Sequence, residues 1–330
     1  MILLDAHQDT VLRLSGAGAP PLRQDGSGRQ SDLPKWRAGG LGAVWCAAWV
    51  DPRQYHGAAA TDRALELLAE IARQVETCGG GAALADSADD VRRIATGVAS
   101  GQGGDVAILR AVEGGMALAG DLANVERLRA AGATYLTLTW RGDLPWAGSD
   151  ELGDGTRGLS DFGRRVVLEM NRVGMVVDLS HASDQTFFDA VAVSRRPCIA
   201  SHSCCKALAG HPRNLADNQL RALRDTGGVV GVCLAMAFLR GRGLTASWTR
   251  PSVATVADHI EHVATVAGID HVGLGSDYDG EVRPPAGLET AAGLEALLVE
   301  LRRRGWDEAD LEKFASENFL RVLAANGAGA

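Results

Sequence analysis

Short runs of aliphatic residues recur along the chain, and five of them end in side chains that can bind a metal ion. Each run is rich in Val, Ile or Leu, which is typical of a parallel strand that is buried on both faces. In a β/α barrel the carboxyl ends of the strands meet at one mouth. We therefore expect the distant side chains at these strand ends to converge there. They are His7 and Asp9, Glu113, His181, His202 and Asp277.

Helical patterns separate most of these strands, which predicts a parallel barrel and not an open sheet. The strands are predicted at the start Ile2-Leu3-Leu4 and at 41–50, 105–112, 133–139, 175–179, 198–201, 229–234 and 271–275. Helices are predicted at 61–77, 87–95, 121–131, 160–173, 183–194, 216–226, 252–267, 289–304 and 307–325. Residues 15–40 are predicted to form a long loop over the cleft, and 140–158 a second loop. The prediction is an α/β fold, a (β/α)8 TIM barrel of the metal-dependent hydrolase type. We expect extra loops and short helices at its C-terminal face, and we expect residues 1–330 to form a single domain.

Composition excludes several classes of partner. The net charge is −8 and no basic run is present, which argues against nucleic acid as a partner. No apolar run approaches the roughly 20 residues that span a bilayer, so no membrane partner is expected. The chain opens directly on MILLDAHQD without the pattern of a signal peptide, so we expect a cytoplasmic location. The six cysteines lack CxxC spacing and are predicted to be buried free thiols.

The spacing of the candidate ligands favours two metal sites. His7 and Asp9 are two residues apart on an extended strand end and therefore point to the same side. Imidazole and carboxylate donors suit zinc, with manganese or cobalt as alternatives. Two adjacent cations need a bridging anion, and none of the three lysines ends a strand, which excludes a carbamylated lysine. Glu113 is the expected bridge, with His181 and His202 completing the second site.

The remaining histidines are interpreted as structural. His259 and His262 are three residues apart and resemble a ligand pair, but their helix belongs to the outer ring of the predicted barrel. His56 and His271 fall in a loop and at a strand start. We expect none of these four residues to bind metal.

Several long motifs resemble those of the renal (membrane) dipeptidase family of the amidohydrolase superfamily, and they extend over nearly the whole chain. They include DAHQDT (5–10), LPKWRAGGLGA (33–43), VEGG (112–115), YLTLT (135–139), LSDFGRRVVLEMNRVGMVVDLSHAS (159–183), SHS (201–203), HPRNL (211–215), GGVVGV (227–232), DHIEHVATVAGIDHVGLGSDYDG (258–280) and ENFLRVL (317–323).

The resemblance implies a role for each matched residue. It implies that His7 and Asp9 bind one zinc ion, that His181 and His202 bind the other, and that Glu113 bridges the two. Asp277 would be the catalytic acid and base. Arg213 would bind the terminal carboxylate of the substrate, with Asn214 beside it, because a guanidinium matches a carboxylate with two parallel hydrogen bonds. Many family members are dimers, so a homodimer is compatible with the resemblance.

The chain departs from the family pattern around the substrate. Trp140 occupies the position of a histidine that contacts the substrate in the family. An indole donates one hydrogen bond but cannot carry a proton or a positive charge. Asp143 lies near an expected asparagine, and an aromatic residue common in the family is replaced around Ala235. The metal site is therefore expected to be intact while the substrate contacts are altered.

Three functions are compatible with these observations. The first is a binuclear zinc-dependent dipeptidase that hydrolyses a small dipeptide-like substrate with a hydroxide held between the two metals. Unusual dipeptides such as L,D forms are included in this prediction. The second is a related amidohydrolase that acts on an N-acyl amino acid or a lactam, and Trp140 motivates it. The third is a non-catalytic binding protein, which the complete set of candidate ligands and Asp277 oppose.

Overall fold

Eight parallel strands of the chain close into a barrel. The computed structural model describes residues 1–15, 18–99, 103–153, 155–240 and 250–327. The strands are β1 Leu3–Gln8, β2 Leu41–Trp49, β3 Ala82–Leu84, β4 Val106–Glu113, β5 Ala133–Thr137, β6 Val176–Asp178, β7 Ile199–Ser203, β8 Val229–Val232 and β9 Val272–Leu274. The ring runs β1-β2-β4-β5-β6-β7-β8-β9 and closes where Asp5 of β1 pairs with Leu274 of β9. The short strand β3 pairs with the start of β4, outside the ring. The predicted barrel is confirmed.

Helices surround the barrel, and most of those predicted are present within two or three residues of their predicted bounds. The helices are α1 Leu33–Ala38, α2 Ala58–Thr77, α3 Ala88–Ile94, α4 Thr96–Ala99, α5 Ala123–Ala130, α6 Asp161–Val173, α7 Asp184–Val193, α8 Asp217–Asp225, α9 Met236–Arg240, α10 Val253–Ala267, α11 Glu295–Arg303, α12 Glu308–Glu312 and α13 Asn318–Gly327. One turn of π-helix, Lys313–Glu317, joins the last two. Within the described ranges, no helix combines the length and apolar character needed to cross a membrane.

Two predictions about local structure were wrong. The segment 15–40 is not one loop, because it contains α1, which begins after Asp32. The Asp32 side chain accepts a hydrogen bond from the Lys35 backbone N–H at 3.0 Å and so caps this helix. The helix predicted from residue 289 begins only at Glu295 and follows a short 3-10 turn at Ala291–Gly293. Neither difference alters the barrel.

The barrel strands are buried on both faces, as their composition predicts. Along β4, Ala107, Leu109 and Ala111 belong to a small core cluster that also contains Trp45 and Tyr135. Val106, Ile108 and Val112 of the same strand pack in the large cluster between the sheet and the surrounding helices. Side chains that alternate with period two therefore fill both layers, and the chemistry is left to the strand ends.

Candidate metal centre

The six candidate metal-site residues lie together at the carboxyl end of the barrel. His7 lies within β1 and Asp9 follows it, while Glu113 is the last residue of β4. His202 lies within β7, and the other two follow β6 and β9. All six side chains are buried, with at most 8% of any residue exposed. The convergence expected from the strand ends is therefore present in the fold.

Glu113 lies between the two pairs of candidate ligands and offers one oxygen to each. Its Oε1 is 2.9 Å from His181 Nε2 and 3.6 Å from His202 Nε2. Its Oε2 is 3.6 Å from His7 Nε2, which in turn is 3.8 Å from Asp9 Oδ2. This is the placement required of a carboxylate that bridges two cations.

The His202 imidazole is oriented by a buried chain of hydrogen bonds. Its Nδ1 is 2.9 Å from Ser201 Oγ, and that hydroxyl donates to Asp178 Oδ2 at 2.7 Å. Thr137 Oγ1 also donates to Asp178 Oδ2, at 2.6 Å. With Nδ1 used in this way, Nε2 of His202 is left to bind a cation. The His202 Nε2 atom lies 3.1 Å from Nε2 of His181.

Several buried polar atoms of the candidate ligands lack a hydrogen-bond partner among the described residues, and two of them test whether cations fit. These two atoms are His7 Nε2 and Asp9 Oδ1. Leaving such atoms unpaired in the interior costs free energy, which a cation between them would offset. Ligand atoms of His7, Glu113 and His202 lie within 4.8 Å of one another, and so do those of His7, Asp9 and Asp277. The donor set and these unpaired atoms fit divalent metal ions.

Burial and close neighbours set the protonation of the centre. Burial alone would raise the pKa of Glu113, but the His7 and His181 imidazoles lower it below its usual value, so this carboxylate is ionised. Burial lowers the pKa of His202 well below its usual value, which keeps the ring neutral and able to act as a ligand. Burial and the charge of Glu113 raise the pKa of Asp9 to about 6.

Burial raises the pKa of the Asp277 carboxyl well above its ordinary value. Asp277 has a backbone φ of 65°, in the left-handed region that non-glycine residues rarely adopt. His181 shares this feature, with a φ of 68°. Backbone strain of this kind is concentrated at functional sites. Asp277 thus combines a raised pKa and a rare backbone conformation at a position that lines the cavity.

A cavity of 740 Å³ opens above the centre and is lined by charged and apolar residues. Arg213 lies in its wall and is buried, with Nη1 3.3 Å from Asp150 Oδ2 and Nη2 3.3 Å from the His202 carbonyl oxygen. Its guanidinium carbon is 5.1 Å from the ring centroid of Phe238. Ala235 also lines this wall.

Asn214 is not among the residues that line the cavity. Its Nδ2 donates to the carbonyl oxygens of Ala209 at 2.7 Å and Phe238 at 2.8 Å. The bond to Phe238 links the segment after β7 to the segment after β8. Asn214 thus stabilises the segments that form the cavity wall. Its side chain does not reach the cavity, so the predicted contact with substrate is not supported by this structure.

Trp140 borders the cavity beside a second tryptophan that was not predicted as a site residue. The ring centroids of Trp140 and Trp49 are 4.9 Å apart, and that of Trp140 is 6.3 Å from the His181 ring. Trp49 is the last residue of β2 and pairs in register with Glu113. Its position at a strand end is therefore a signal by which the sequence could have identified it. Asp143 accepts a hydrogen bond from the Ser149 backbone N–H at 2.9 Å and shapes the loop that carries Trp140.

Other polar residues that were interpreted as structural have their own partners. His259 Nδ1 accepts a hydrogen bond from the Cys205 backbone N–H at 3.1 Å, and His262 Nε2 is 2.8 Å from Asp217 Oδ1. His271 Nδ1 is 2.7 Å from the Gly228 carbonyl oxygen. All six cysteines are free, and five are buried. Neither Cys204 nor Cys205 lines the cavity.

Comparison with known proteins agrees with this geometry. The model of the membrane dipeptidase family, peptidase family M19, matches residues 1–328. Dipeptidase 3 of Rattus norvegicus is 36% identical over 330 residues, which cover 97% of this chain and 64% of the relative. The chain thus spans less than two thirds of the length of that relative.

Several solved structures resemble the whole chain. A metallo peptidase from Rhodobacter sphaeroides, liganded with a phosphinate mimic of the dipeptide L-Ala-D-Ala, is 26% identical with a TM-score of 0.88, and 99% of each chain is covered. The probable dipeptidase PvdM from Pseudomonas aeruginosa shares the fold, with 23% identity, a TM-score of 0.88 and coverage of 100% of this chain and 96% of its own. The resemblance noted from the motifs is confirmed, and the chain belongs to the membrane dipeptidase family, peptidase family M19.

Proposed function

We propose that this chain is a dipeptidase that works with two divalent cations held around Glu113. The observation that carries the proposal is the position of the Glu113 carboxylate. One of its oxygens faces His181 and His202, and the other faces His7. A structural glutamate has no need to divide its oxygens between two sets of buried imidazoles. A bridging ligand requires that arrangement.

In the proposed site His7 and Asp9 would hold one cation, and His181 and His202 the other. When bound, the cations would supply Lewis acidity and a lowered pKa for water, which gives a nucleophile near neutral pH. Nitrogen and oxygen donors in this number suit zinc best. The neutral state of His202 and the ionised state of Glu113 are the protonation states that metal binding requires.

Asp277 would move the proton in this reaction. Its raised pKa allows the carboxyl to accept a proton from the attacking water and to return it to the nitrogen of the cleaved amide. Arg213 would fix the free carboxylate at the end of the substrate through its guanidinium. The two residues would therefore hold both ends of the leaving amino acid, which favours short substrates with a free C-terminus.

The relatives support dipeptides as substrates. The Rhodobacter sphaeroides structure carries a mimic of a dipeptide, and the match to the mammalian relative is to a dipeptidase. Trp140 favours a second candidate, an amidohydrolase that acts on an N-acyl amino acid or a lactam. A half-buried indole beside His181 makes that side of the cavity more apolar than a histidine would.

A substrate panel on the zinc-loaded enzyme separates these candidates. We expect hydrolysis of L,L- or L,D-dipeptides to exceed that of N-acetyl amino acids and lactams. His181→Ala should abolish turnover and lower the metal content. His262→Ala, on the outer helix, is the matched control and should change neither. Full activity in a metal-free preparation, or a preference for N-acetyl amino acids, would contradict the proposal.

A further inference from the structure

Two tryptophans form an aromatic wall on one side of the cavity, and the proposed chemistry does not use them. Trp49 ends β2 and Trp140 follows β5, so they flank Glu113 at the end of β4. Their ring planes meet at 61° with centroids 4.9 Å apart, which is a favourable edge-to-face contact. Both are only partly buried, and both line the cavity. Flat apolar surface is thus available to a ligand beside the metal centre.

The wall is held in place and has one hydrogen-bond donor to offer. The guanidinium carbon of Arg141 lies 5.2 Å from the Trp140 ring centroid, and Arg141 Nε is 3.3 Å from Glu151 Oε2. The Trp49 Nε1 atom is buried and has no hydrogen-bond partner among the described residues. An indole N–H can only donate, so its natural partner is an acceptor such as a carbonyl oxygen.

The proposed function places the leaving amino acid on the opposite side of the cavity, beside Arg213 and Asp277. Arg213 follows β7 and Asp277 follows β9, with only β8 between these strands in the barrel. Arg213 and Asp277 both line the cavity. The amine and the carboxylate of an α-amino acid are separated by a single carbon atom. Neighbouring proton-donor and carboxylate-binding groups therefore match one amino acid, the C-terminal residue.

We infer that Trp49 and Trp140 form the subsite for the N-terminal side chain, and that the enzyme selects dipeptides with a large apolar or aromatic N-terminal residue. This inference rests on the proposed function. With the C-terminal residue fixed between Arg213 and Asp277, the acyl half extends across Glu113 toward β2 and β5. The tryptophans end or follow those two strands.

The expected selectivity follows from the buried apolar area. Replacing an N-terminal glycine or alanine by phenylalanine places a full aromatic ring against the two indoles. Burial of that ring should raise kcat/KM by at least about tenfold. The same change in the C-terminal residue does not reach the wall and should change kcat/KM by about threefold or less.

The test compares Phe-Ala with Gly-Ala, and Ala-Phe with Ala-Gly, on the zinc-loaded enzyme. Trp49→Ala and Trp140→Ala should each reduce the Phe-Ala to Gly-Ala ratio to about threefold or less. Trp140→Phe should retain most of the ratio because it keeps an aromatic ring. Trp306→Phe, whose indole contacts Phe314 outside the cavity, is the control and should leave the ratio unchanged. Melting temperature and metal content identify any variant that fails to fold.

Equal kcat/KM values for Phe-Ala and Gly-Ala in the wild-type enzyme would overturn the inference while the proposed function stands. An unchanged Phe-Ala to Gly-Ala ratio in both alanine variants would do the same. If no dipeptide is hydrolysed, the proposed function fails, and the intact peptides then permit a direct binding measurement. Calorimetry should still give about tenfold tighter binding of Phe-Ala than of Gly-Ala, lost in Trp49→Ala. Equal affinities would reject the aromatic subsite itself.

Discussion

The phenolic oxygen of Tyr135 lies 2.6 Å from Nδ1 of His7 and 3.1 Å from the carbonyl oxygen of Ala6. Tyr135 is fully buried in the small core cluster of the barrel. In the arrangement that satisfies all three groups, His7 Nδ1–H donates to the phenol and the phenol donates to the carbonyl. Nε2 of His7 then faces Glu113 Oε2 at 3.6 Å and Asp9 Oδ2 at 3.8 Å. Tyr135 thereby sets both the tautomer and the direction of a candidate ligand.

Tyr135→Phe should weaken metal binding by about 10- to 100-fold, because the His7 ring loses the bond that orients it. The measurement is a zinc competition titration against a chelator, together with the visible spectrum of the Co²⁺-loaded protein. Tyr278→Phe is a matched control, since Tyr278 is equally buried and its hydroxyl donates to the Leu288 carbonyl oxygen at 2.8 Å. Equal metal affinities in the two variants would mean that Tyr135 is only structural.

Ser201→Ala should break the link between Asp178 and His202, and so weaken binding of the cation held by His181 and His202. We expect zinc content to fall from two ions per chain toward one at limiting zinc. Ser203→Ala is the control on the same strand, because Ser203 Oγ is buried and has no hydrogen-bond partner among the described residues. Its removal should be neutral or slightly stabilising. If both variants lose zinc, the cause is damage to β7 and not the loss of the hydrogen bonds that Ser201 makes to Asp178 and His202.

Gly280→Ala should reduce kcat by about a hundredfold or more, because it displaces carboxylates at the centre. A Cβ at residue 280 would lie 2.4 Å from Asp9 Oδ2 and 2.3 Å from Asp277 Oδ1. The backbone there is not in the left-handed region, so the effect is confined to these contacts. Gly327→Ala meets no atom within 4 Å and is the control. Wild-type kcat in Gly280→Ala would show that the carboxylates are free to move.

Thiol labelling of the native protein should modify about one cysteine, Cys78. The other five are buried, and burial raises the pKa of Cys204 to about 12, so these thiols are both shielded and unreactive. Unfolding in guanidinium should expose all six. Cys78→Ser should remove the fast phase of a colorimetric thiol assay. Rapid labelling of several thiols in the folded protein would contradict the buried positions.

The barrel and the candidate ligands could be predicted because both depend on local signals. Aliphatic runs mark buried strands, and the residue after each run marks the mouth, which located Glu113, His181 and His202 without any knowledge of contacts. The short strand β3, with the sequence Ala-Ala-Leu, has no such signal and was missed. Helix α1 was also missed, although Asp32 and Pro34 at its start are ordinary signals of a helix N-terminus.

The residues that orient the ligands could not be predicted from the sequence. Contact between Tyr135 and His7, or between Asp178 and Ser201, depends on how neighbouring strands are shifted relative to each other. The register contains irregularities, including one between Asp5 and Gln8 of β1. A shift of one residue would direct these side chains to the other face of the sheet. The division into a single domain and the homodimer stay predictions.

The most direct test of the account is a crystal structure of the zinc-loaded protein with anomalous data at the zinc edge. We expect two anomalous peaks, one beside His7 and Asp9 and the other beside His181 and His202, with one Glu113 oxygen next to each. Peaks elsewhere in the molecule, or a Glu113 carboxylate that contacts no metal, would contradict this expectation.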